Sequence, residues 1–441
     1  MPDTAHPLQQ NSFFTEDRAS GTFRLRRRAY TDTSIFELER ERIFGRCWLY
    51  AGHESEIKNH GDFVSRKIGG RPVIMVRGAD GAIRILLNSC THRGVIVCRD
   101  RAGNRDVFRC PYHAWTFNNQ GALTAIPGRD AYAPEFRMDD LGLREVRHTN
   151  YRGLIFLCFS SETESLEDYL AGAKEQLDLI IDQGDDGKNV SQNHAGGLTV
   201  LAGAHEYGIN ANWKMLPENT LDVYHLFSTH SRFMNDYMPR IAGAQPTRKQ
   251  FEQGVSIPLG NGHSVLEMPM FGKIIDEHKR GDWEKRFGKI RADKMLGCRR
   301  QLLIFPNTIY IEAWQAMRTC FPAAADRMEI SAWALMPEVD DPAIRQKRVE
   351  NYMAFLGPGG YSTPDDVEVL ELCQESFRSM PDGPPLDMSR GLGREHPAPD
   401  QEQQMRVFWR RWYELVGAEV EQRDAANTSP AMGSGAAPTA P

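Results

Sequence analysis

Two short segments decide the fold of this chain: Asn-Ser-Cys-Thr-His-Arg-Gly at 88–94 and Cys-Pro-Tyr-His-Ala-Trp at 110–115. Each segment offers one thiolate and one imidazole, two or three positions apart. The candidate ligands are Cys90, His92, Cys110 and His113. Proteins use thiolate and imidazole to hold zinc and iron–sulfur clusters. The spacing therefore predicts a metal centre between two loops.

The order of the ligands separates these two kinds of centre. Structural zinc sites with two Cys and two His usually pair like with like, as Cys-x-x-Cys followed by His-x(3–5)-His. Here Cys and His alternate along the chain, which favours a [2Fe-2S] cluster with two Cys on one iron and two His on the other. This is the Rieske arrangement, in which neutral imidazoles raise the reduction potential of the cluster.

The surroundings of these ligands are strand-like. Apolar runs at 72–76 and 82–87 flank Gly-Ala-Asp-Gly at 78–81, which is a hairpin signal. We therefore predict a small all-β Rieske [2Fe-2S] domain over 49–160 that presents the ligands at hairpin tips.

A second concentration of metal ligands lies in the segment 212–230, which contains Asn219, Asp222, His225 and His230. Asp222 and His225 share a face if the segment is helical, whereas the two histidines are about 140° apart on a regular helix. Both imidazoles can bind one ion only if the helix is distorted, for instance by a π-bulge. Two imidazoles and one carboxylate make a facial triad that leaves positions open for oxygen chemistry on Fe(II).

The carboxylate of this triad is expected downstream, in Pro-Asp-Asp-Val-Glu at 364–368. Acids in the first turn of a helix complement the helix dipole, so one of the two aspartates needs no other role. We choose Asp366 as the iron ligand, with Asp365 second. Asp222 is a further candidate, but another role is open to it.

Together these motifs resemble the large (α) subunit of bacterial Rieske non-haem iron aromatic-ring-hydroxylating dioxygenases, over about residues 13–412. The similar patterns are Cys-x-His…Cys-x-x-His and Asn-Trp-Lys-x(3)-Glu-Asn-x-x-Asp-x-Tyr-His-x(4)-His. The resemblance implies iron ligands at His225, His230 and Asp366, in a catalytic fold of antiparallel sheet around a long helix. One departure is Ala114, where the family commonly has Gly.

By the same resemblance, Asp222 bridges an iron-ligand histidine and a cluster-ligand histidine of the neighbouring subunit. Asn219, in the same motif, is a second candidate catalytic residue. Electrons would then cross a subunit interface, which implies a homotrimeric core, α3 or, with a small β subunit, α3β3. An NAD(P)H-dependent reductase, with or without a ferredoxin, would reduce the cluster. The implied reaction is the cis-dihydroxylation of an aromatic compound with O2.

The sequence around 14–18 and 47–55 looks most like the benzoate and p-cumate dioxygenase group, which favours an aromatic carboxylic acid as substrate. A carboxylate would need an Arg or Lys in the pocket, and three arginines follow the ligand segment: Arg232, Arg240 and Arg248. The apolar candidates for the pocket wall are Phe227, Met234 and Trp314. A surface role is the favoured interpretation for each arginine, so the sequence does not choose among them, and core packing explains each apolar residue equally well.

The length of the chain predicts more than one domain, and the patterns of strand and helix along it predict an α+β protein. The 441 residues carry a formal net charge of −6, which argues against a nucleic-acid partner. No apolar run approaches the ~18 residues that span a bilayer, and no secretory signal is present, so we expect a cytoplasmic protein with no membrane partner. Outside the Rieske domain, residues 1–48 are predicted to form a helical segment that packs on the catalytic domain, with helix from about residue 15. Residues 161–423 are predicted to form a catalytic domain of antiparallel sheet flanked by helices. A disordered tail is predicted at 424–441.

Two alternatives lie outside the oxygenases. A Rieske electron carrier without catalytic iron would leave His225 and His230 as structural residues, and a zinc-stabilised binding module would be colourless. The length of the chain and the complete second ligand set favour an oxygenase. Within the oxygenases, the motifs do not separate dihydroxylation from monohydroxylation or O-demethylation.

Overall fold

The computed structural model describes residues 8–184, 197–201, 203–270, 276–338, 340–357 and 359–428. These residues form an N-terminal segment, an all-β domain and a larger domain of antiparallel sheet and helices, which is the predicted α+β organisation. In this described part of the chain, none of the helices combines the length and the apolar character needed to cross a membrane.

The N-terminal segment begins with strands. Its elements are β1 (Leu8–Gln10), β2 (Phe14–Asp17), β3 (Thr22–Leu25), α1 (Arg28–Thr31) and α2 (Thr33–Arg42). The three strands form an antiparallel meander. The prediction of helix from residue 15 is therefore wrong up to the end of β3, at Leu25. Burial alternates along β2 and β3 with a period of two, as in a half-buried strand.

Glu39, on α2, joins this segment to the rest of the molecule. Its fully buried carboxylate accepts hydrogen bonds from Nζ of Lys214 at 2.6 Å, Nε1 of Trp213 at 2.7 Å and Nε1 of Trp412 at 2.6 Å. Burial lowers the pKa of Lys214, and the adjacent Glu39 opposes that shift. Because removing one partner of a buried ion pair costs about 3–5 kcal/mol, this contact fixes α2 against the segment that carries the second predicted metal site.

The all-β domain contains both cluster segments. Its strands are β4 (Leu49–His53), β5 (Asp62–Ile68), β6 (Arg71–Arg77), β7 (Ile83–Leu87), β8 (Ala102–Asn104), β9 (Val107–Arg109), β10 (Thr116–Asn118), β11 (Leu123–Ala125), β12 (Arg147–Tyr151) and β13 (Leu154–Cys158). They form three sheets, in the orders β7-β6-β5-β8, β11-β10-β9 and β12-β13-β4. The predicted turn at 78–81 joins β6 to β7.

One large antiparallel sheet dominates the second domain. Its strands are β14 (Leu198–Val200), β15 (His205–Ile209), β16 (Val255–Gly260), β17 (His263–Pro269), β18 (Cys298–Ile304), β19 (Thr308–Ile311), β20 (Ala316–Ala324) and β21 (Arg327–Pro337). Their order is β14-β21-β20-β19-β18-β17-β16, and β15 also pairs with β21. A short strand, β22 (Leu386–Asp387), adds to β3 of the N-terminal sheet.

Helices flank this sheet. They are α3 (Leu166–Leu170), α4 (Ala173–Ile181), α5 (Met215–Thr220), α6 (Met238–Ala242), α7 (Arg248–Phe251), α8 (Arg280–Phe287), α9 (Lys289–Gly297), α10 (Pro342–Leu356), α11 (Thr363–Ser379), α12 (Gln403–Trp412) and α13 (Ala418–Thr428). The tail prediction is wrong as far as Thr428. Helix α13 continues there because Val420 is buried and Asp424 pairs with Arg28 at 2.5 Å. The rest of the predicted tail, 429–441, lies outside the described residues.

Candidate metal centres

The two cluster loops have the same backbone design. Strand β7 leads to Cys90 and β9 leads directly to Cys110. In each loop the cysteine carbonyl accepts a hydrogen bond from the amide four residues later, that of Gly94 at 2.8 Å and that of Ala114 at 3.0 Å. Both of these residues are left-handed, with φ of 73° and 56°. Glycine adopts this conformation freely, whereas a residue with a Cβ is strained in it by roughly 1–2 kcal/mol.

The four cluster candidates converge with thiols inside and imidazoles outside. Cys90 and Cys110 are each 3% exposed, and burial raises the pKa of the Cys90 thiol. The rings of His92 and His113 are half-buried, with centroids 4.6 Å apart. Trp115 stacks on His92 at 4.8 Å. Nδ1 of His113 is buried and has no hydrogen-bond partner among the described residues, so these side chains fit a Rieske cluster.

The second group of candidates lies on turns rather than on a helix. Helix α5 ends at Thr220, and the chain to His230 consists of turns and bends. The prediction of a distorted helix through Asp222 and His225 is therefore wrong. The Asp222 carboxylate accepts a hydrogen bond from the amide of Tyr224 at 2.6 Å, a local bond that competes with helix formation. A π-helical stretch begins only after His230.

This turn brings two imidazoles and one carboxylate together. Nε2 of His225 and Nε2 of His230 are 3.1 Å apart, and Oδ1 of Asp366 lies 3.6 Å and 3.0 Å from them. Burial raises the pKa of Asp366, but the imidazoles outweigh this and hold the pKa well below its usual range. Burial lowers the pKa of His225, but Asp222 and Asp366 raise it to about 9. The donor set fits the facial triad of non-haem Fe(II).

A carboxylate also lies beside the second nitrogen of each imidazole. Oδ2 of Asp222 is 3.2 Å from Nδ1 of His225, and Oδ2 of Asp365 is 3.3 Å from Nδ1 of His230. Asp365 is 45% exposed and contacts only Nδ1 of His230. Asp366, in contrast, faces the Nε2 atoms of both imidazoles. The geometry thus favours Asp366 over Asp365 as the ligand, with Asp365 orienting a ring.

The Asp366 carboxylate has two further partners. Nδ2 of Asn219 donates to its Oδ1 at 3.1 Å, and Oγ of Ser362 donates to its Oδ2 at 3.1 Å. Asn219 thus holds a candidate ligand rather than facing the cavity beside the triad. Ser362 was not among the predicted residues. Its one signal in the sequence is its position one turn before Asp366, at the start of α11.

An apolar cavity of about 160 Å³ adjoins the triad. Leu226, next to His225, is part of its wall, and so is Phe355, whose ring centroid is 6.0 Å from that of His230. Two of the predicted wall residues, Met234 and Trp314, line the cavity. The third, Phe227, packs instead on the ring of Phe251.

The basic residues of the cavity are not those that the sequence suggested. Arg232, Arg240 and Arg248 do not line it, whereas Arg299 and Arg348 do. Arg299 lies on β18, and Arg348 lies on α10. Nothing local in the sequence marks either residue, because only the folded sheet and α10 bring them to the cavity.

Comparison with protein families accounts for both centres. Residues 47–142 match the Rieske [2Fe-2S] domain, and residues 198–418 match the catalytic domain of the ring-hydroxylating α subunit. The toluate 1,2-dioxygenase α subunit of Pseudomonas putida is 31% identical over 412 residues, which cover 89% of this chain and 86% of that protein.

Two further proteins extend the comparison. The N,N-dimethyl phenylurea N-demethylase α subunit of Sphingobium sp. (strain YBL2) is 36% identical over 442 residues, covering 89% of this chain and 91% of that protein. The crystal structure of naphthalene 1,2-dioxygenase from Rhodococcus sp. bound to indole is 29% identical, has a TM-score of 0.79 and covers 90% of this chain and 95% of that one. This chain therefore belongs to the Rieske non-haem iron ring-hydroxylating dioxygenases, as the α subunit of a multicomponent enzyme.

Proposed function

We propose that this α subunit cis-dihydroxylates an aromatic carboxylic acid, using O2 and electrons that a reductase takes from NAD(P)H. The observation that carries the proposal is the convergence of His225, His230 and Asp366 beside an apolar cavity. A relative named for toluate, an aromatic acid, supports the substrate class.

In this proposal His225, His230 and Asp366 hold the catalytic iron, and the cluster is held by Cys90, His92, Cys110 and His113. When bound, the cluster supplies single electrons and the ferrous ion activates O2 for reaction with the aromatic ring.

The chain's own residues position this chemistry. Asp365 accepts a hydrogen bond from Nδ1 of His230, and the Asp222 carboxylate lies 3.2 Å from Nδ1 of His225, so that each Nε2 is left for the ion. Asn219 and Ser362 fix the Asp366 carboxylate. The aromatic wall around Phe355 keeps water from the ring of the substrate.

We also propose that electrons pass between subunits of a homotrimeric core. Tyr112, at the tip of a cluster loop, is 56% exposed, and Tyr224, next to the second centre, is 45% exposed. Asp222 is 20% exposed beside it. Within the described residues, no hydrogen bond or ion pair joins the two centres of one chain. Each centre is thus open for contact with another subunit, in an α3 or α3β3 assembly served by a reductase with or without a ferredoxin.

N-dealkylation of an aromatic urea is a second candidate function. The N-demethylase relative is 36% identical, compared with 31% for the toluate dioxygenase relative. Both reactions fit the same metals and cavity. Their products separate them, because dihydroxylation leaves a ring-derived diol and demethylation releases the methyl carbon as an aldehyde.

The first experiment is metal analysis and electron paramagnetic resonance on anaerobically purified, dithionite-reduced protein. We expect a rhombic Rieske signal and about three irons per chain. Zinc without this signal would overturn the redox assignment. Reloading with Fe(II), followed by turnover with a reductase on benzoate, p-toluate, p-cumate and a dimethyl phenylurea, then decides between the two reactions. Absence of oxygenated product from the aromatic acids would overturn the proposed substrate class.

A further inference from the structure

Part of the cavity lining is polar, and the proposed chemistry does not use it. Arg299 and Gln301 both line it from β18. Residues two apart on a strand lie on the same face, so their side chains point to the same side, and Arg300 points to the other. Arg300 is fully buried and does not line the cavity; it contacts Glu267 and Glu312.

Arg299 is the least compensated charge of this wall. Its nearest carboxylate is Oε1 of Glu312, 3.5 Å from Nη1, which is longer than the ~2.7–2.9 Å of a charge-assisted hydrogen bond. Glu312 is already held by Nη1 of Arg300 at 3.2 Å and Nε2 of Gln183 at 2.7 Å. The only hydrogen bond that Arg299 donates within the described residues runs from Nη1 to the carbonyl of Cys298, at 3.4 Å.

The other charges of the cavity are paired. Arg348 contacts both Asp276 and Asp340, and Asp276 also lies 3.5 Å from Nζ of Lys279. Each carboxylate of the described lining, Asp276 and Glu312, therefore already has a cation beside it that is not Arg299. The wall therefore presents donors and positive charge rather than a free anion.

Gln301 adds a second unused group. Its Oε1 is buried and has no hydrogen-bond partner among the described residues. A buried amide without a partner costs about 1–3 kcal/mol, so a ligand that pairs with it gains that free energy. Because an amide flip exchanges oxygen and nitrogen, Gln301 can present its Nε2 donor to the point that Arg299 faces.

We propose that Arg299, with Gln301 beside it, binds the carboxylate of the aromatic substrate and so sets a preference for aromatic acids over neutral aromatics. The proposal rests on the proposed function, which places the substrate in this cavity. Arg presents a planar fork of donors that matches a carboxylate. The cavity continues to Leu226 and Phe355, beside the two histidines, so an acid anchored at Arg299 extends its ring towards the triad.

The test measures binding to the purified, cluster-loaded oligomer by calorimetry, with benzoate and with benzamide, a neutral compound of the same shape. We expect Arg299→Met to weaken benzoate binding about 10- to 100-fold and to change benzamide binding by less than about threefold. Arg299→Lys keeps the charge but loses the fork, so its benzoate affinity should lie between those of wild type and Arg299→Met.

Arg240→Met is the matched control, because Arg240 is exposed on α6, a helix that contributes other residues to the cavity wall. It should bind both compounds as wild type does. Benzoate affinity of Arg299→Met within about twofold of wild type, with the cluster spectrum intact, would overturn the proposal. Equal losses for benzoate and benzamide would also overturn it, as would wild type that binds no benzoate. If Arg299→Met loses its cluster, the same comparison is made with Arg299→Lys.

Failure of the proposed function would look different. Wild type that binds benzoate through Arg299 but forms no oxygenated product contradicts the proposed reaction and leaves the carboxylate site in place. Wild type that oxygenates neutral aromatics without binding benzoate contradicts the carboxylate site and leaves the oxygenase chemistry in place.

Discussion

Oδ2 of Asp222 lies 3.2 Å from Nδ1 of His225, the imidazole whose Nε2 faces His230 and Asp366. Asp222→Asn removes the charge but keeps the shape, and it leaves the three candidate ligands unchanged. We expect both metals to stay bound and turnover to fall by about 10- to 100-fold or more. Iron content, the Rieske signal and reductase-coupled product formation measure this. Turnover near that of wild type would refute the bridging role, and Asp236→Asn, at an exposed position, is the control.

Neighbouring aspartates at the start of α11 make a matched pair. Asp366 faces both Nε2 atoms, whereas Asp365 is 45% exposed and contacts only Nδ1 of His230. We expect Asp366→Asn to lose the mononuclear iron and to keep the cluster signal, leaving about two irons per chain. Asp365→Asn should keep about three. If Asp365→Asn lost the mononuclear iron and Asp366→Asn kept it, Asp365 would be the iron ligand in place of Asp366.

The left-handed backbone of Ala114 predicts a gain in stability from glycine at this position. Ala114→Gly relieves strain at φ 56°, partly offset by the greater freedom of glycine in the unfolded chain. We expect an increase of about 0.5–1 kcal/mol in the free energy of unfolding, followed by the visible absorbance of the cluster in denaturant. Gly94→Ala is the reciprocal variant and should destabilise. The nearest atom to a Cβ there is Oγ of Ser89 at 3.9 Å, an ordinary contact, so only the backbone conformation opposes the substitution. A loss of stability in Ala114→Gly would contradict this account.

Glu218 predicts a pH-dependent stability. Burial raises its pKa to about 7, despite hydrogen bonds from Tyr30 and Trp409 that lower it. A carboxyl with a pKa above its unfolded value costs stability as the pH rises from about 4.5 to 7, because folding then opposes ionisation. Glu218→Gln should therefore stabilise the protein by about 1–3 kcal/mol at pH 8 and by less at pH 5. Thermal unfolding at both pH values measures this.

Glu375→Gln, at an exposed position of α11, is the control for that variant. It should unfold as wild type does at both pH values. Equal effects of Glu218→Gln at pH 5 and pH 8 would show that Glu218 does not titrate between them.

The parts of the site that lie close together in sequence could be predicted. The family matches confirm the Rieske domain and the catalytic domain, and with them the oxygenase class over the electron carrier and the zinc module. The four cluster candidates lie in two short loops, and His225 and His230 lie on one turn, so local spacing was sufficient to find them. Asp366 could be predicted as a ligand because it lies in the first turn of a helix. Its role as a ligand stays a prediction that the geometry supports.

The parts that depend on folded contacts could not be predicted. The alternation of buried and exposed positions in β2 and β3 is short. The helical spacing of apolar residues in α2, which follows, therefore dominated the prediction for this segment. The turn after Thr220 includes a hydrogen bond from the Tyr224 amide to the Asp222 carboxylate, which spacing does not reveal. Arg299 reaches the cavity only through the register of β18. Spacing in the sequence offered only Arg232, Arg240 and Arg248, for which a surface role was favoured and which do not line the cavity.

The contacts of Glu39 with Trp213, Lys214 and Trp412 have a consequence for building chimaeric enzymes. They join α2, which precedes the Rieske domain in the chain, to segments that follow that domain. A chimaera cut once, at the end of the Rieske domain, would import a foreign α2 and leave the Lys214 ammonium without its native partner inside the core. Electron-transfer modules should exchange between relatives when both joints are placed beside the strands that enclose them, after α2 and after β13.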